Sequence, residues 1–404
     1  MEIPDHSDRK RWSIFVILLV FFAVICWPAI SIPAFRKIDE YRLPRDLRGR
    51  VSLERVRALE AATGEKVTSA EDYNRKSEFV HALAEVAPVM WKVRKSYYRD
   101  IPQQEFEEKL LGFVADLDPH SSYEPQSEVL EAIKKLKEQG GGPTPDLLDP
   151  GKASQKIEAS VFAGRYGLIK IKDFNDLEAN GFQAQLTAAT NAIWGSAPFG
   201  KIDGVVIDLR GNPGGFLRNA TILLSAFVKK PGVLLITEKN YNSAAKTKVE
   251  RVFSDPDPVG VDNSRLRNVP VVVLVDAGSA SCSEIVAGVL QHYKIGVVAS
   301  KDPRTFGKGV IQSVSLLKNG RLGQLTLTTH EYFIGANQRV QGYGVCPDIR
   351  LKGTSDDEPE FERDLDNPIL PTGAAAHFVP MRERDPELDK QGREMLKALK
   401  MDYK

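Results

Sequence analysis

The chain has 404 residues, 42% of them apolar and 27% charged, with a formal net charge of +1. That length accommodates two or three domains, and the near-neutral charge excludes the basic footprint of a nucleic-acid-binding protein. Its three cysteines and six histidines show no metal-ligand spacing and no H-E-x-x-H, so neither a disulfide framework, a metal site nor a cofactor is expected.

A short tail, residues 1–12, carries Arg9, Lys10 and Arg11 and leads into residues 13–35 (SIFVILLVFFAVICWPAISIPAF), which hold no charge. That run is long enough to cross a hydrocarbon layer of about 30 Å. It lacks an A-x-A site and has Trp27 and Pro28 near its far end, which favours a retained single-pass anchor over a cleaved signal peptide. Ile25 stands where a lipoprotein signal would need a small residue before Cys26, which argues against lipidation. Basic residues lie on both sides, with Arg36, Lys37, Arg42, Arg45, Arg48 and Arg50 following the run. Charge bias therefore does not set the orientation, but the short tail favours an inside N-terminus and an extracytoplasmic remainder.

Apolar residues recur every three or four positions through residues 52–118, as in FVHALAEVAPVMWKVRKSYY, the period of amphipathic helices. Residues 36–139 are accordingly expected to form a small helical domain, with LDPHSSYE at 117–124 and a further helix after it. Residues 140–155 (GGGPTPDLLDPGKASQ) read as a Gly/Pro linker. From 156 to 352 strands and helices alternate. YGLIKIKDF, GVVIDLR, VPVVVLV and IGVVAS are strand-like, while residues 182–194, FLRNATILLSAFV and residues 284–293 are helical. This is the pattern of an α/β core with a mostly parallel sheet flanked by helices. Residues 310–334 read as a hairpin turning at Asn319-Gly320, and residues 353–404 as an acidic segment followed by an amphipathic helix.

Within this core, DLRGNPGG (208–215) follows a buried strand and precedes a helix, where glycines let backbone N–H groups approach a ligand. Read alone it is an ordinary strand-to-helix turn. VDAGSASCSEIVAG (275–288) places Ser279, Ser281 and Ser283 at a similar junction, where free N–H groups and the helix dipole can stabilise an oxyanion. Its bland reading is a helix cap, since Ser281 and Glu284 have capping-box spacing. His292 cannot serve as base to Ser281, because eleven helical residues separate them by about 16 Å. RTFGKGVIQS (304–313) sets Lys308 between two glycines. A solvated lysine there would be inert, whereas burial lowers its proton affinity enough for a general base.

The segments DLRGNPGG, GSASCSEI and TFGKGVIQ, in that order and preceded by LDPHSSYE, resemble the C-terminal processing peptidases, or tail-specific proteases, over about residues 75–350. The resemblance implies a ClpP/crotonase-like core and a Ser-Lys dyad. Ser281 would be the nucleophile and Lys308 the base, with Gln312 orienting the lysine. The oxyanion would be held by the N–H of Cys282 and that of Gly214, with Gly215 as the other candidate. It further implies a membrane-anchored endopeptidase that cleaves exported, periplasmic proteins near their C-termini through an acyl-enzyme.

Several features depart from the family pattern. Residues 143–166 leave no room for the PDZ domain that selects substrate tails in the family, so an adaptor or activating partner is expected to supply that selection. Two additional residues lie between nucleophile and base, in SKDPRTFGKG. His292 stands where relatives often carry Asp, and Cys282 where Ala is common. The rival expectation is a catalytically silent binding or scaffold protein on the same fold, against which the joint retention of Ser281, Lys308 and Gln312 argues.

Overall fold

The computed structural model describes residues 43–96, 111–125, 127–131, 156–176, 179–228, 230–240, 248–254, 265–317, 323–353, 359–371 and 385–403. The expected anchor at 13–35, the linker at 140–155 and the hairpin turn at Asn319-Gly320 lie outside these residues. Among the described residues no helix is long and apolar enough to cross a membrane. Contacts divide the chain into two units, Met1–Glu107 and Glu108–Lys404.

In the first unit, helix α1 (Leu53–Thr63) begins at Ser52, whose hydroxyl accepts the Arg55 N–H, and ends at Gly64. Gly64 has φ 74°, and its N–H returns to the Glu60 carbonyl. That is the left-handed stop which glycine adopts without steric cost. Helix α2 (Ala70–Ser96) follows. Leu43, Leu47, Val56, Leu59 and Val67 form the small core of this unit.

The second unit contains two sheets. In chain order its elements are β1 (Ser122–Glu124), β2 (Ile157–Phe162), β3 (Tyr166–Ile171), α3 (Ala179–Ser196), β4 (Gly204–Asp208), α4 (Leu217–Phe227), β5 (Leu234–Asn240) and β6 (Lys248–Phe253). There follow β7 (Val271–Leu274), α5 (Cys282–His292), β8 (Gly296–Ser300), β9 (Val310–Leu316), β10 (Gln324–Ile334), β11 (Gln338–Arg339), β12 (Ile349–Arg350) and α6 (Pro386–Ala398).

The first sheet has the order β12-β8-β7-β4-β3-β2, parallel throughout except where β2 meets β3. Strands β4, β7 and β8 are buried along their whole length, as expected of parallel strands covered on both faces. Because side chains alternate between faces, Val205, Ile207, Val271 and Val273 join the core that includes residues of α3, α4 and α5. Val206, Val272 and Leu274 instead meet Met395 and Leu396 of α6. Each fully buried side chain of this kind contributes about 1.5–3 kcal/mol, so the strand ends that carry the turns are firmly placed.

The second sheet runs β1-β10-β5-β6, with β9 and β11 also paired to β10, and every pairing is antiparallel. Residues 122–124, which the sequence suggested would close the helical domain, thus form a strand of the second unit against residues 324–326. The last four residues of β10, Glu331 to Ile334, are buried, and they carry Tyr332 inward. The turns after β4 and β7, and the segment that crosses from β8 to β9, surround one location.

Candidate active site

The two strand-to-helix turns are stitched together by their own polar groups. Ser279, fully buried, donates to the Leu209 carbonyl (2.8 Å), and Ser283, also fully buried, donates to the Asn212 carbonyl (2.9 Å). Ala280 N–H adds a bond to the same Asn212 carbonyl. Two of the three serines are therefore committed to joining the 208–215 turn to the 275–281 turn. Ser281 is partly exposed and stands immediately before α5 with φ 53° and ψ −112°. A non-glycine residue held at positive φ stores strain that persists only where surrounding bonds over-determine it, and such residues cluster at functional sites.

Those bonds come chiefly from Glu284, which is fully buried. Its Oε2 accepts the N–H of Ser281 (2.9 Å) and the N–H of Lys308 (2.8 Å). Its Oε1 accepts the Thr305 hydroxyl (2.5 Å) and the Gly307 N–H (2.7 Å). One carboxylate thus holds the Ser281 turn and the lysine segment in fixed relation. Tyr332 does the same from the other side, its hydroxyl lying 2.8 Å from the Lys308 carbonyl and 3.2 Å from the Ser281 carbonyl. A direct bond from Phe306 N–H to the Ser279 carbonyl (3.1 Å) completes the junction. The sequence offered Glu284 only as a capping-box partner, and nothing in it singled out Tyr332.

Electrostatics follow from this burial. Desolvation pushes the Glu284 carboxyl up to about 7 despite its four donors. Desolvation likewise holds the Lys308 ammonium below the ordinary lysine value, with Glu362, Cys282, Glu284 and Asp118 pulling the other way. A lysine so placed is a more available proton acceptor at neutral pH than a solvated one. His292 lies at the far end of α5 from Ser281, and burial holds it below the ordinary histidine value.

Gly214 (φ 101°) lies directly against the serine. A Cβ there would stand 2.8 Å from the Ser281 Cβ and 2.9 Å from the Cys282 nitrogen, so only glycine permits the approach. Its N–H donates to Asn212 Oδ1 at 2.9 Å, whereas the N–H groups of Gly215 and Cys282 have no partner among the described residues. Cys282 stands at the first position of α5, where a helix leaves its N–H groups without intrahelical acceptors. Its thiol, buried and pushed up to about 12 by desolvation, donates to the Gly215 carbonyl at 3.0 Å. The Cys282 side chain therefore helps join the two turns.

Gln312, on β9, donates to the Thr328 hydroxyl at 3.2 Å, and Thr328 donates to Asp118 Oδ1 at 3.1 Å. No hydrogen bond joins Gln312 to Lys308 among the described residues. Asp118 also accepts from Ser121 and from the His120 backbone. Burial raises this carboxyl, but those bonds outweigh it and leave the group below its ordinary value. The LDPHSSYE segment thereby reaches the lysine's surroundings. Among the described residues no group of three or more His, Cys, Asp or Glu side chains is arranged to hold a metal ion.

This constellation lies within a region that matches known proteins. The chain is 30% identical over 268 residues to a carboxy-terminal-processing protease of Bartonella bacilliformis, covering 63% of this chain and 55% of that one. It is 29% identical over 204 residues to the chloroplastic C-terminal processing peptidase of Tetradesmus obliquus, covering 50% of this chain and 37% of that one. The chain therefore spans less than two thirds of either relative. A solved structure of the photosystem II D1 C-terminal processing protease aligns with a TM-score of 0.37 and 27% identity, over 48% of each chain. Carboxy-terminal-processing proteases are thus among the chain's relatives, and residues 165–351, which contain both turns, Ser281 and Lys308, match Peptidase family S41.

Proposed function

We propose that the protein is a serine endopeptidase acting on protein or peptide substrates near their C-termini, with Ser281 as nucleophile and Lys308 as general base. The observation that carries this reading is the shared Glu284 Oε2, which ties the Ser281 and Lys308 backbones together while Ser279 and Ser283 are consumed in structural bonds. Ser281 Oγ attacks the scissile carbonyl carbon as its proton passes to the Lys308 amine. The resulting oxyanion is held by the N–H groups of Cys282 and Gly215, with Gly214 closing the wall of the hole. Lys308 then gives the proton to the departing amine, and water releases the acyl group by the reverse sequence. Gln312 acts through the Thr328–Asp118 chain that borders the lysine.

The uncharged run at 13–35 supports a membrane anchor that places this domain on the extracytoplasmic, periplasmic side. The short span at 143–166 supports substrate selection by an adaptor partner. The chemical reading is tested by incubating the full chain in detergent with an unfolded protein, alongside Ser281→Ala and Lys308→Ala. Each substitution is expected to abolish cleavage. Proteolysis that survives Ser281→Ala would sink the assignment, and loss in Ser283→Ala alone would move it to the other serine.

A further inference from the structure

The acceptance of a proton by Lys308 creates a cation in a desolvated site, and a buried cation is costly unless a counter-charge is in place. We propose that Glu362, oriented by His120 and Gln341, is the buried counter-charge for the lysinium that forms when Ser281 is deprotonated, and so is a positioning residue for the reaction. This rests on the reading of Ser281 and Lys308 given above.

Glu362 is fully buried in the 3-10 turn Glu362–Asp364 and is tied directly to the chain before Lys308 and, through Gln341, to the chain after it. Its backbone N–H donates to the Phe306 carbonyl (3.0 Å). Its Oε1 accepts from Gln341 Nε2 (2.8 Å), and Gln341 Oε1 in turn accepts the Gly309 N–H (2.7 Å). A Cβ built on Gly307 would lie 3.5 Å from the Cβ of Glu362. The imidazole Nε2 of His120, which is 11% exposed, stands 3.0 and 2.8 Å from the two carboxylate oxygens.

Three carboxylates face Lys308: Glu284 from α5, Asp118 from the segment before β1, and Glu362. The Cys282 thiol also faces it. Glu284 and Asp118 each spend their charge on four donors. Glu362 has two side-chain donors, Gln341 and His120, and its charge acts on Lys308 and on the Tyr332 phenol. Of the charges around Lys308 it exerts the largest pull toward the protonated state.

The proton balance is simple. The Ser281 O–H breaks, an N–H forms on Lys308, and the new cation is opposed by the Glu362 anion. The proton leaves again on the amine product, and Glu362 itself exchanges none. This counter-charge offsets part of the desolvation that makes Lys308 an available acceptor, and it does so only once the lysine is charged.

The test follows Lys308 by 13C NMR in the full chain labelled at lysine, its resonance assigned by absence from Lys308→Met. In Glu362→Gln the Lys308 titration midpoint is expected to move to lower pH, with the acid limb of kcat/KM moving in the same direction and kcat falling more than KM changes. An unmoved midpoint overturns the proposal. Should Glu362→Gln not fold, the same Lys308 titration is read in Glu362→Asp, which keeps the charge but draws it back by one methylene; its midpoint is again expected at lower pH than in wild type, and an unmoved midpoint overturns the proposal. Neither titration depends on cleavage, so a wild-type chain that cleaves nothing would sink the peptidase reading separately.

Discussion

Replacing Glu284 by Gln separates what this residue does for the site from what it costs the fold. The carboxylate takes four donors on two oxygens, whereas an amide offers one oxygen and turns an NH2 toward the other pair. Leaving two buried donors unsatisfied costs about 1–3 kcal/mol each. Against this, the rise of the Glu284 carboxyl from 4.5 to about 7 corresponds to about 3 kcal/mol of charge-burial penalty that the amide does not incur. The net effect at pH 8 therefore lies between a gain of about 1 kcal/mol and a loss of about 3 kcal/mol. Activity is expected to suffer far more, because displacement of Ser281 or Lys308 by about 1 Å lowers kcat by about 100-fold. The raised carboxyl also predicts a sign with pH: its contribution to stability is complete below 4.5 and is lost as pH rises through about 7. Urea denaturation at pH 4.5 and pH 8 should show wild type losing about 3 kcal/mol more than Glu284→Gln between the two. A folded Glu284→Gln enzyme with wild-type kcat, or one whose lost activity follows its lost stability, would refute the clamp.

Two further outcomes follow from the same junction. Ser283→Ala should lose about 1 kcal/mol of stability in denaturant titration and still cleave, since its hydroxyl only bridges to the Asn212 carbonyl. Cys282, with its thiol pushed up to about 12, should resist iodoacetamide at pH 8 in the folded protein and react once the protein is unfolded. Peptide mass spectrometry reads the difference, and rapid labelling in the folded state would contradict its burial.

The parts of the site that lie on contiguous segments were legible in the sequence. A buried strand, a short polar turn and an amphipathic helix announced the 275–288 junction, and the structure sets α5 at Cys282–His292. The choice among the three serines was not settled by residue type alone, because it depends on carbonyls of the separate 208–215 turn. Glu284 illustrates the limit. Its spacing to Ser281 revealed one of its four bonds, and the other three come from residues 305–308. Tyr332 read as one apolar residue of a hairpin strand, and the pairing of His120 with Glu362 spans 242 residues, beyond any local pattern. The 117–124 segment seemed to belong with the helices before it, since a three-residue strand such as β1 is too short to show a period and is defined by its partner.

The Glu284 clamp also bears on insertions and deletions. Because the carboxylate grips the lysine segment at 305–308, the separation of Ser281 and Lys308 is set by that grip and not by the contour length of chain between them. Asp302 is anchored separately, accepting the Ala277 N–H, and Arg304 rests over the Phe361 ring. The segment from 305 onward is therefore positioned by bonds of its own, and the exposed Lys301 and Pro303 are the places in this stretch where length can change without loosening the grip on Lys308.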